Sequence, residues 1–176
     1  MEVEVKIFDI SKKEFLRRLE QLAIDRGSVG VSTVFKGVVT SVYFSNPLYG
    51  EDVTMRLNTE EPHGRRPYSY LTVKVRCSSS SGFKTCDEIN LKTVDPKIAR
   101  SFLELLGWKE ERAVIKVRES CIGFGCRFEF DEMDGQKWVE VETDTVKKLS
   151  KILADLDIKN ISSVSTKELS QQGGLK

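Results

Sequence analysis

Charged side chains alternate with aliphatic ones in the first residues of the chain, MEVEVKI. Glu2, Glu4 and Lys6 are separated by Val3 and Val5. Because successive side chains of a strand point to opposite sides, this spacing predicts a β-strand with one charged and one apolar face. An open charged face would meet bulk water, whereas an enclosed one must hold water, ions or a polyanionic ligand. The fold therefore decides what chemistry these groups can do.

The same alternation recurs in four later segments. The charges that share a face in them are Lys74 and Arg76 in YLTVKVR, Lys116 and Arg118 in RAVIKVRES, Arg127, Glu129 and Asp131 in CRFEFDE, and Glu140 and Glu142 in KWVEVET. Taken singly, each strand is explained by the solvated outer face of an antiparallel sheet. Taken together they favour a closed barrel, because closure removes the sheet edges. We therefore predict an α+β fold, an eight-stranded antiparallel β-barrel with a charged lumen and helices packed on the outside.

Three amphipathic helices would cover the apolar outside of this barrel. They are SKKEFLRRLEQLAI with Ser11 as N-cap, VDPKIARSFLELLGW with Asp95 as N-cap, and TDTVKKLSKILADL capped by Thr143 or Asp144. A short helical turn is predicted at 165–169. The strands are the opening segment, SVYF, DVTMRLN, YLTVKVRC, DEINLK, RAVIKVRES, CRFEFDE and KWVEVET. The stretch RGSVGVSTVFKGV is compatible with either loop or extended chain.

Length and composition bound the class of protein. The 176 residues suit a single domain, placed at residues 1–169, with a flexible tail at 170–176. With 39% hydrophobic residues, 31% charged residues and a net charge of +1, the chain is expected to be soluble and not to bind nucleic acid. It has no apolar run that would cross a membrane, and its acidic N-terminus does not resemble a signal peptide. The expected compartment is the cytoplasm.

Cys121 and Cys126 flank the turn signal IGFG. If they lie opposite each other, both are on the apolar face, where two buried free thiols are favoured in a reducing compartment and a disulfide is the alternative. The same register pairs opposite charges on the other face, Arg118 with Glu129 and Lys116 with Asp131.

The other two cysteines, Cys77 and Cys86, flank the serine-rich turn. Cys77 is two residues from Val75, on the apolar face, whereas Cys86 is two residues from Glu88, on the charged face. In regular strands their side chains should therefore point to opposite faces. A bridge between them is disfavoured unless a bulge intervenes. No pair has the CxxC spacing of a zinc site.

Taken in chain order, the charged positions resemble the signature motifs of the CYTH proteins, also called triphosphate tunnel metalloenzymes. The matches are Glu2, Glu4 and Lys6 to E-x-E-x-K, Arg56 to an L-R-x-R strand, Lys74 to L-T-x-K, Glu88 to an E-x-E-like strand, Lys116 and Arg118 to K-x-R, Arg127 and Asp131 to R-x-x-x-D, and Glu140 and Glu142 to the closing E-x-E. The resemblance runs from Glu2 to about Leu169. It implies an eight-stranded tunnel that binds a triphosphate with a divalent metal.

The resemblance also implies a role for each charged residue. The metal, Mg²⁺ or Mn²⁺, would be bound by Glu2, Glu4, Glu129, Asp131, Glu140 and Glu142. The triphosphate would be bound by Lys6, Arg56, Lys74, Arg76, Glu88, Lys116, Arg118 and Arg127. Glu2, Glu4 and Lys6 would be the catalytic residues, with a carboxylate of the first two orienting the attacking water. Arg76 and Glu129 are explained equally well by a strand end or a structural salt bridge.

Three positions depart from the motifs. Asn58 replaces the second arginine of L-R-x-R, Asn90 replaces a glutamate two residues after Glu88, and Thr166 replaces a tyrosine near the C-terminus. The resemblance favours a metal-dependent triphosphatase acting on inorganic triphosphate or on a small organic or nucleoside triphosphate. The alternatives are a class IV adenylate cyclase and a polyphosphate-binding protein without turnover. The expected partner is a triphosphate-bearing small molecule, with no nucleic acid and no membrane; the oligomeric state is left open, with a homodimer as one option.

Overall fold

A closed antiparallel β-barrel is the centre of the fold in the computed structural model, which describes residues 1–50, 53–93 and 95–172. Within these residues the eight strands are β1 Glu2–Ile7, β2 Ser32–Ser45, β3 Val53–Pro62, β4 Tyr68–Ser80, β5 Phe83–Thr93, β6 Lys109–Gly123, β7 Cys126–Met133 and β8 Gln136–Thr143. The predicted α+β barrel is confirmed. Asp52 and Val94, which begin two predicted segments, and residues 173–176 of the predicted tail lie outside the described residues.

The strand order around the barrel is β1-β5-β4-β3-β2-β6-β7-β8, and β8 closes on β1. The barrel therefore consists of two antiparallel meanders, β2 to β5 and β6 to β8. On one side β2 pairs directly with β6, and on the other side β1 lies between β5 and β8 and pairs with both. The stretch that the sequence left ambiguous contributes the start of β2. The short first strand is inserted between β5 and β8, so its charged residues reach both meanders.

The described part of the chain contains four helices, α1 Lys12–Asp25, α2 Pro96–Leu105, α3 Val146–Asp155 and α4 Thr166–Gln172. Ser11 caps α1 by accepting from the N–H of Glu14, and Asp95 caps α2, as predicted. The N-cap of α3 is Thr145 and not Thr143 or Asp144, because Thr143 still belongs to β8. None of these helices is long and apolar enough to span a membrane.

The helices cover part of the apolar outside of the barrel. Four apolar residues on the outer faces of β5 and β6 stay more than half exposed, namely Ile89, Leu91, Ile115 and Val117. Phe15 and Leu19 of α1 and Leu149 of α3 pack against the outward-facing Val5 and Phe128, all fully buried. On the other side, α2 packs against β2 and β3 in a second apolar cluster. Each buried side chain of this size is worth about 1.5–3 kcal/mol of transfer free energy, so the helices hold the barrel closed from outside.

One end of the barrel is plugged by side chains. The end plug consists of Tyr43, Val114, Met133 and Trp138 from the strands and Leu169 from α4, all buried. On β7, Met133 lies in this plug, and Arg127 lies at the opposite end of the strand with an exposed side chain. The lumen is therefore closed at one end and accessible at the other, which we call the mouth.

The hairpin between β6 and β7 has a different register from the predicted one. Gly123, and not Cys121, lies opposite Cys126, and Arg118 lies opposite Asp131. The turn consists of only two residues, Phe124 and Gly125, with φ of 54° and 73°, as a tight hairpin of the primed type requires. A shift of two residues keeps every side chain on its predicted face. Cys121 and Cys126 are both free and buried, the alternative that the sequence favoured.

Cys77 and Cys86 form a disulfide, because the bulge that the sequence analysis made a condition for this bridge is present. The pairing of β4 with β5 shifts by one residue between Val75 and Ser78, which places one extra residue in β4. Arg76 has a φ of 51° within this bulge. A bulge reverses the alternation beyond it, so Cys77 turns to the side of Cys86.

Candidate active site

The charged residues of the motifs lie on the inner face of the barrel. On β1, Glu4 and Lys6 are 5% and 2% exposed, although Val3 and Val5 on the outer face are also fully buried beneath the helices. The inner-facing charged residues that are buried are Glu4, Lys6, Lys74, Lys116, Glu129, Asp131 and Glu140. The charged face of the opening strand is thus enclosed, and its charges must be neutralised inside the lumen.

Lys74 neutralises three carboxylates from two other strands. Its Nζ lies 2.6 Å from Glu2 Oε1, 3.0 Å from Glu4 Oε2 and 2.9 Å from Glu88 Oε2. Lys84 adds a second ammonium group, 3.3 Å from Glu4 Oε1. Since β5 lies between β1 and β4, Lys74 ties three adjacent strands together through one buried charge.

The opposite wall is built around Asp131. Its two carboxylate oxygens accept from Arg118, Nε to Oδ1 and Nη2 to Oδ2, both at 2.6 Å. Lys116 Nζ donates to Oδ2 at 2.7 Å, and Arg118 also forms an ion pair with Glu129. Bidentate pairing fixes the plane of the guanidinium group. Although burial acts to raise it, Arg118 and Lys116 hold the pKa of Asp131 well below its usual range.

Two groups of carboxylates lie between these walls. Glu2, Glu4 and Glu142 form one, and Glu129, Glu140 and Glu142 form the other; within each group the oxygen atoms lie within 4.8 Å of one another. Glu142 belongs to both. Converging carboxylate oxygens are the ligands that Mg²⁺ and Mn²⁺ prefer. Asp131, expected to be a metal ligand, is in neither group, and its two oxygens accept hydrogen bonds from Arg118 and Lys116.

Burial and crowding disfavour the charged forms of Glu2 and Glu142. Although burial acts to raise them, lysine charges hold the pKa values of Glu4 and Glu140 below their usual range. Burial, and then a hydrogen bond with Glu4, raises the pKa of Glu2 to about 8. Burial, together with the charges of Glu129 and Glu140, raises the pKa of Glu142 well above its usual range. A divalent cation between the carboxylates would relieve both the repulsion and the cost of burial, so the donor set fits such a metal.

Buried arginine donors face the same lumen. Arg56 Nη2 lies 3.8 Å from Glu88 Oε2, and its buried Nε has no hydrogen-bond partner among the described residues. Arg112 Nε is also buried and has no hydrogen-bond partner among the residues that the structure describes. Tyr43 lies opposite both arginines, between β6 and β3. Because a buried donor without an acceptor is costly, these guanidinium groups are suited to an anionic ligand.

The two asparagine departures belong to one hydrogen-bonded chain across four strands. Ser41 Oγ donates to Asn58 Oδ1 at 2.6 Å, and Asn58 Nδ2 donates to Thr72 Oγ1 at 2.8 Å. Thr72 Oγ1 donates to Asn90 Oδ1, and Asn90 Nδ2 donates to Glu88 Oε1, both at 2.6 Å. Neutral, hydrogen-bonded side chains therefore stand at the two positions where the motifs have charged residues. The last hydrogen bond of the chain orients Glu88, which contacts Lys74.

Two of the residues that were expected to bind phosphate, Arg76 and Arg127, lie outside the group of buried charged residues in the lumen. The side chain of Arg76 is 82% exposed and pairs with Asp87 at 2.8 Å, because the bulge turns it out of the lumen. Arg127 lies at the mouth, where its side chain is 47% exposed and its Nε is 3.9 Å from Glu142 Oε2.

Three lumen residues were missed by the sequence analysis. Lys84 contacts Glu4, Tyr70 lies on the inner face of β4, and Arg112 lies on the inner face of β6. Their spacing in the sequence could have identified them, because each lies four residues from a recognised residue and therefore on the same strand face. The recognised residues are Glu88, Lys74 and Lys116 respectively.

No protein-family model matches this sequence, and no curated protein sequence matches it either. Solved structures do match. The PH1819 protein of Pyrococcus horikoshii is 24% identical, with a TM-score of 0.77 over 98% of this chain and 99% of that chain. A candidate adenylate cyclase of Vibrio parahaemolyticus is 17% identical, with a TM-score of 0.73 over 97% of each chain.

A third solved structure also matches. The HpAC1 protein of Hippeastrum, a candidate adenylyl cyclase described as having a dominant triphosphatase activity, is 17% identical, with a TM-score of 0.64 over 98% of this chain and 96% of that chain. At these identities the matches establish the fold. The predicted eight-stranded tunnel fold is thus confirmed by a closed antiparallel barrel that is shared, over nearly the full length of the chain, with these solved structures.

Proposed function

We propose that this protein is a divalent-metal-dependent triphosphatase that hydrolyses a linear triphosphate inside the barrel. The observation that carries the proposal is the pair of carboxylate groups sharing Glu142, enclosed beside a wall of buried cations. A triphosphate bears several negative charges, and its transfer chemistry depends on positioning and charge stabilisation more than on a protein nucleophile. The triphosphatase activity described for the Hippeastrum neighbour supports the same reading.

The carboxylate groups would hold Mg²⁺ or Mn²⁺, which would supply charge neutralisation of phosphate oxygens and a bound water as the attacking group. Arg56 and Lys116 would bind the phosphates from the two sides of the lumen. Arg118 would hold a phosphate in a fixed orientation, because Asp131 keeps its guanidinium plane in place. A carboxylate of Glu2 or Glu4 would accept a hydrogen bond from the attacking water and orient it. Lys74, which lies among these carboxylates, would neutralise them before the substrate arrives.

A class IV adenylate cyclase is the second candidate, favoured by the structural match to the candidate cyclase of Vibrio parahaemolyticus. Cyclisation uses the same metal and phosphate ligands, but the attacking group is the ribose 3′-hydroxyl and not water. The products of ATP separate the two: cyclic AMP with pyrophosphate for a cyclase, and ADP with phosphate for a hydrolase.

The proposal is tested by incubating the protein with tripolyphosphate or ATP, with Mg²⁺ or Mn²⁺, and identifying every product. Orthophosphate release from tripolyphosphate is expected, and Glu4→Gln should lower it by about 100-fold or more, as loss of a site group typically does. Glu132→Gln on the outer face of β7, where the side chain is 48% exposed, is the matched control and should retain the activity. Turnover of neither triphosphate under either metal would refute the proposal.

A further inference from the structure

Two tyrosines stand side by side at the mouth of the barrel. Tyr68 and Tyr70 are two residues apart on β4, so both point to the inner face, like Lys74 further along. Their ring centroids are 6.4 Å apart and their planes differ by 26°. Tyr68 is 42% exposed, although it is a large aromatic residue on the inner face. We call these two residues the tyrosine pair.

Glu60 of β3 holds both rings in this arrangement. The hydroxyl of Tyr70 donates to Glu60 Oε1 at 2.7 Å, and the hydroxyl of Tyr68 donates to Oε2 of the same carboxylate. Glu60 and Tyr68 are directly opposite in the β3–β4 ladder. The two rings are thus fixed before any ligand arrives, which lowers the entropy cost of binding against them.

The tyrosine pair is continuous with the cations that face the lumen. Tyr70 lies directly opposite Asn58 of β3, and Arg56, one of the phosphate ligands proposed above, is two residues from Asn58 on the same inner face. Although burial raises the pKa of Tyr70, the charges of Arg56 and Arg118 act to lower it. Tyr68 lies at the mouth, as Arg127 does. A ligand whose phosphates contact Arg56 and Arg118 would therefore project its other end over Tyr70 and Tyr68. Bulk water meets the lumen at the same place.

We propose that the tyrosine pair stacks against the aromatic group of an organic triphosphate, so that a nucleoside triphosphate binds more tightly than inorganic triphosphate. This inference rests on the proposed function and specifies its substrate class. Stacking of a base on an aromatic side chain strengthens binding by about tenfold or more and tolerates different bases, because every base has a π-face. A bare triphosphate gains nothing from the tyrosines.

The test compares the binding of two non-hydrolysable ligands by isothermal titration calorimetry with Mg²⁺. The probes are adenylyl imidodiphosphate, which carries a base, and imidotriphosphate, which does not. The intact protein should bind the nucleotide at least tenfold more tightly. Tyr68→Leu should remove most of this advantage and leave the affinity for imidotriphosphate unchanged, whereas Tyr68→Phe should keep a larger part of it, because the ring remains although its hydrogen bond to Glu60 is lost.

Tyr49→Leu provides the matched control, because Tyr49 is a half-exposed tyrosine that stacks on Trp108 outside the lumen. It should bind both probes like the intact protein. Equal affinity of the intact protein for both probes, or an equal loss for both in Tyr68→Leu, would overturn the inference and leave the triphosphatase proposal standing. Binding of neither probe would overturn both.

Discussion

Replacing Lys74 with methionine should destabilise the protein strongly, because Glu4 and Glu88 would lose their shared counter-charge and Glu2 would lose a hydrogen-bond donor. Methionine keeps much of the apolar stem but cannot donate to Glu2, Glu4 or Glu88, which now lie 2.6–3.0 Å from the ammonium group. The side chain of Lys74 is only 7% exposed, so the carboxylates would lose this partner in a largely buried environment. Removing one partner of a buried ion pair costs about 3–5 kcal/mol, and we expect a loss in this range for the metal-free protein.

Urea denaturation followed by circular dichroism measures this loss, with Arg76→Met as the matched control. Arg76 is two residues further along β4 and also forms an ion pair at 2.8 Å, but its side chain is 82% exposed. An exposed pair contributes about 0–1 kcal/mol, so the control should unfold almost like the intact protein. The two variants lose the same charge from the same strand and differ in burial.

The destabilisation should also depend on pH. Although burial acts to raise it, Lys74 and Lys6 hold the pKa of Glu4 well below its usual range. A carboxylate with a lowered pKa in the folded state stabilises the protein above its unfolded pKa, and this contribution is lost as the pH falls. The gap between Lys74→Met and the intact protein should therefore be largest near neutral pH, begin to shrink as the pH falls below 4.5, and close only below the lowered folded-state pKa of Glu4. A loss no larger than that of Arg76→Met at neutral pH would refute this account of the lumen.

Other substitutions test the lumen and the outer packing by the same urea titration. Asn58→Leu should cost about 1–3 kcal/mol, because the partners of the buried amide, Ser41 among them, lose their hydrogen bonds; an unchanged midpoint would contradict the hydrogen-bonded chain. Replacing Cys77 and Cys86 together with serine should cost about 2–3 kcal/mol, as expected for a bridge that closes a loop with a sequence separation of 9; equal stability in the presence of a reductant and in its absence would contradict the bridge. Phe128→Ala should cost about 3–5 kcal/mol, because the ring is fully buried beneath α1; a loss below about 1 kcal/mol would mean that this helix does not hold the barrel closed.

The inner face of the barrel could be predicted from alternation alone. Glu2, Glu4 and Lys6 share a side with no exception because β1 is short and free of bulges. In β6 and β7 the predicted register was wrong by two residues, yet every charge stayed on its predicted face because the side-chain period of a strand is two. The face on which a side chain lies can thus be predicted more reliably than the residue that it pairs with on the neighbouring strand.

Alternation could not predict features that depend on irregular strand pairing or on contacts between strands that are distant in the sequence. The single extra residue at Arg76 reversed the parity of Cys77, and nothing in VKVRCSSS distinguishes a bulge from a regular strand. The grouping of Glu142 with carboxylates from β1 and from β7 depends on how the barrel closes. The asparagine chain was visible only as two departures from a motif, and its continuity needed the pairing of β2 through β5.

The most direct test of the central claim is a crystal structure with Mn²⁺ and imidotriphosphate, with anomalous scattering measured at the manganese edge. The claim is that the lumen holds a divalent metal on its carboxylates beside a triphosphate on its cations. We predict an anomalous peak among the carboxylate oxygens of Glu2, Glu4 and Glu142, with the phosphate chain against Arg56 and Arg118. An anomalous peak outside the barrel, or a triphosphate bound without metal on the outer surface, would contradict the account.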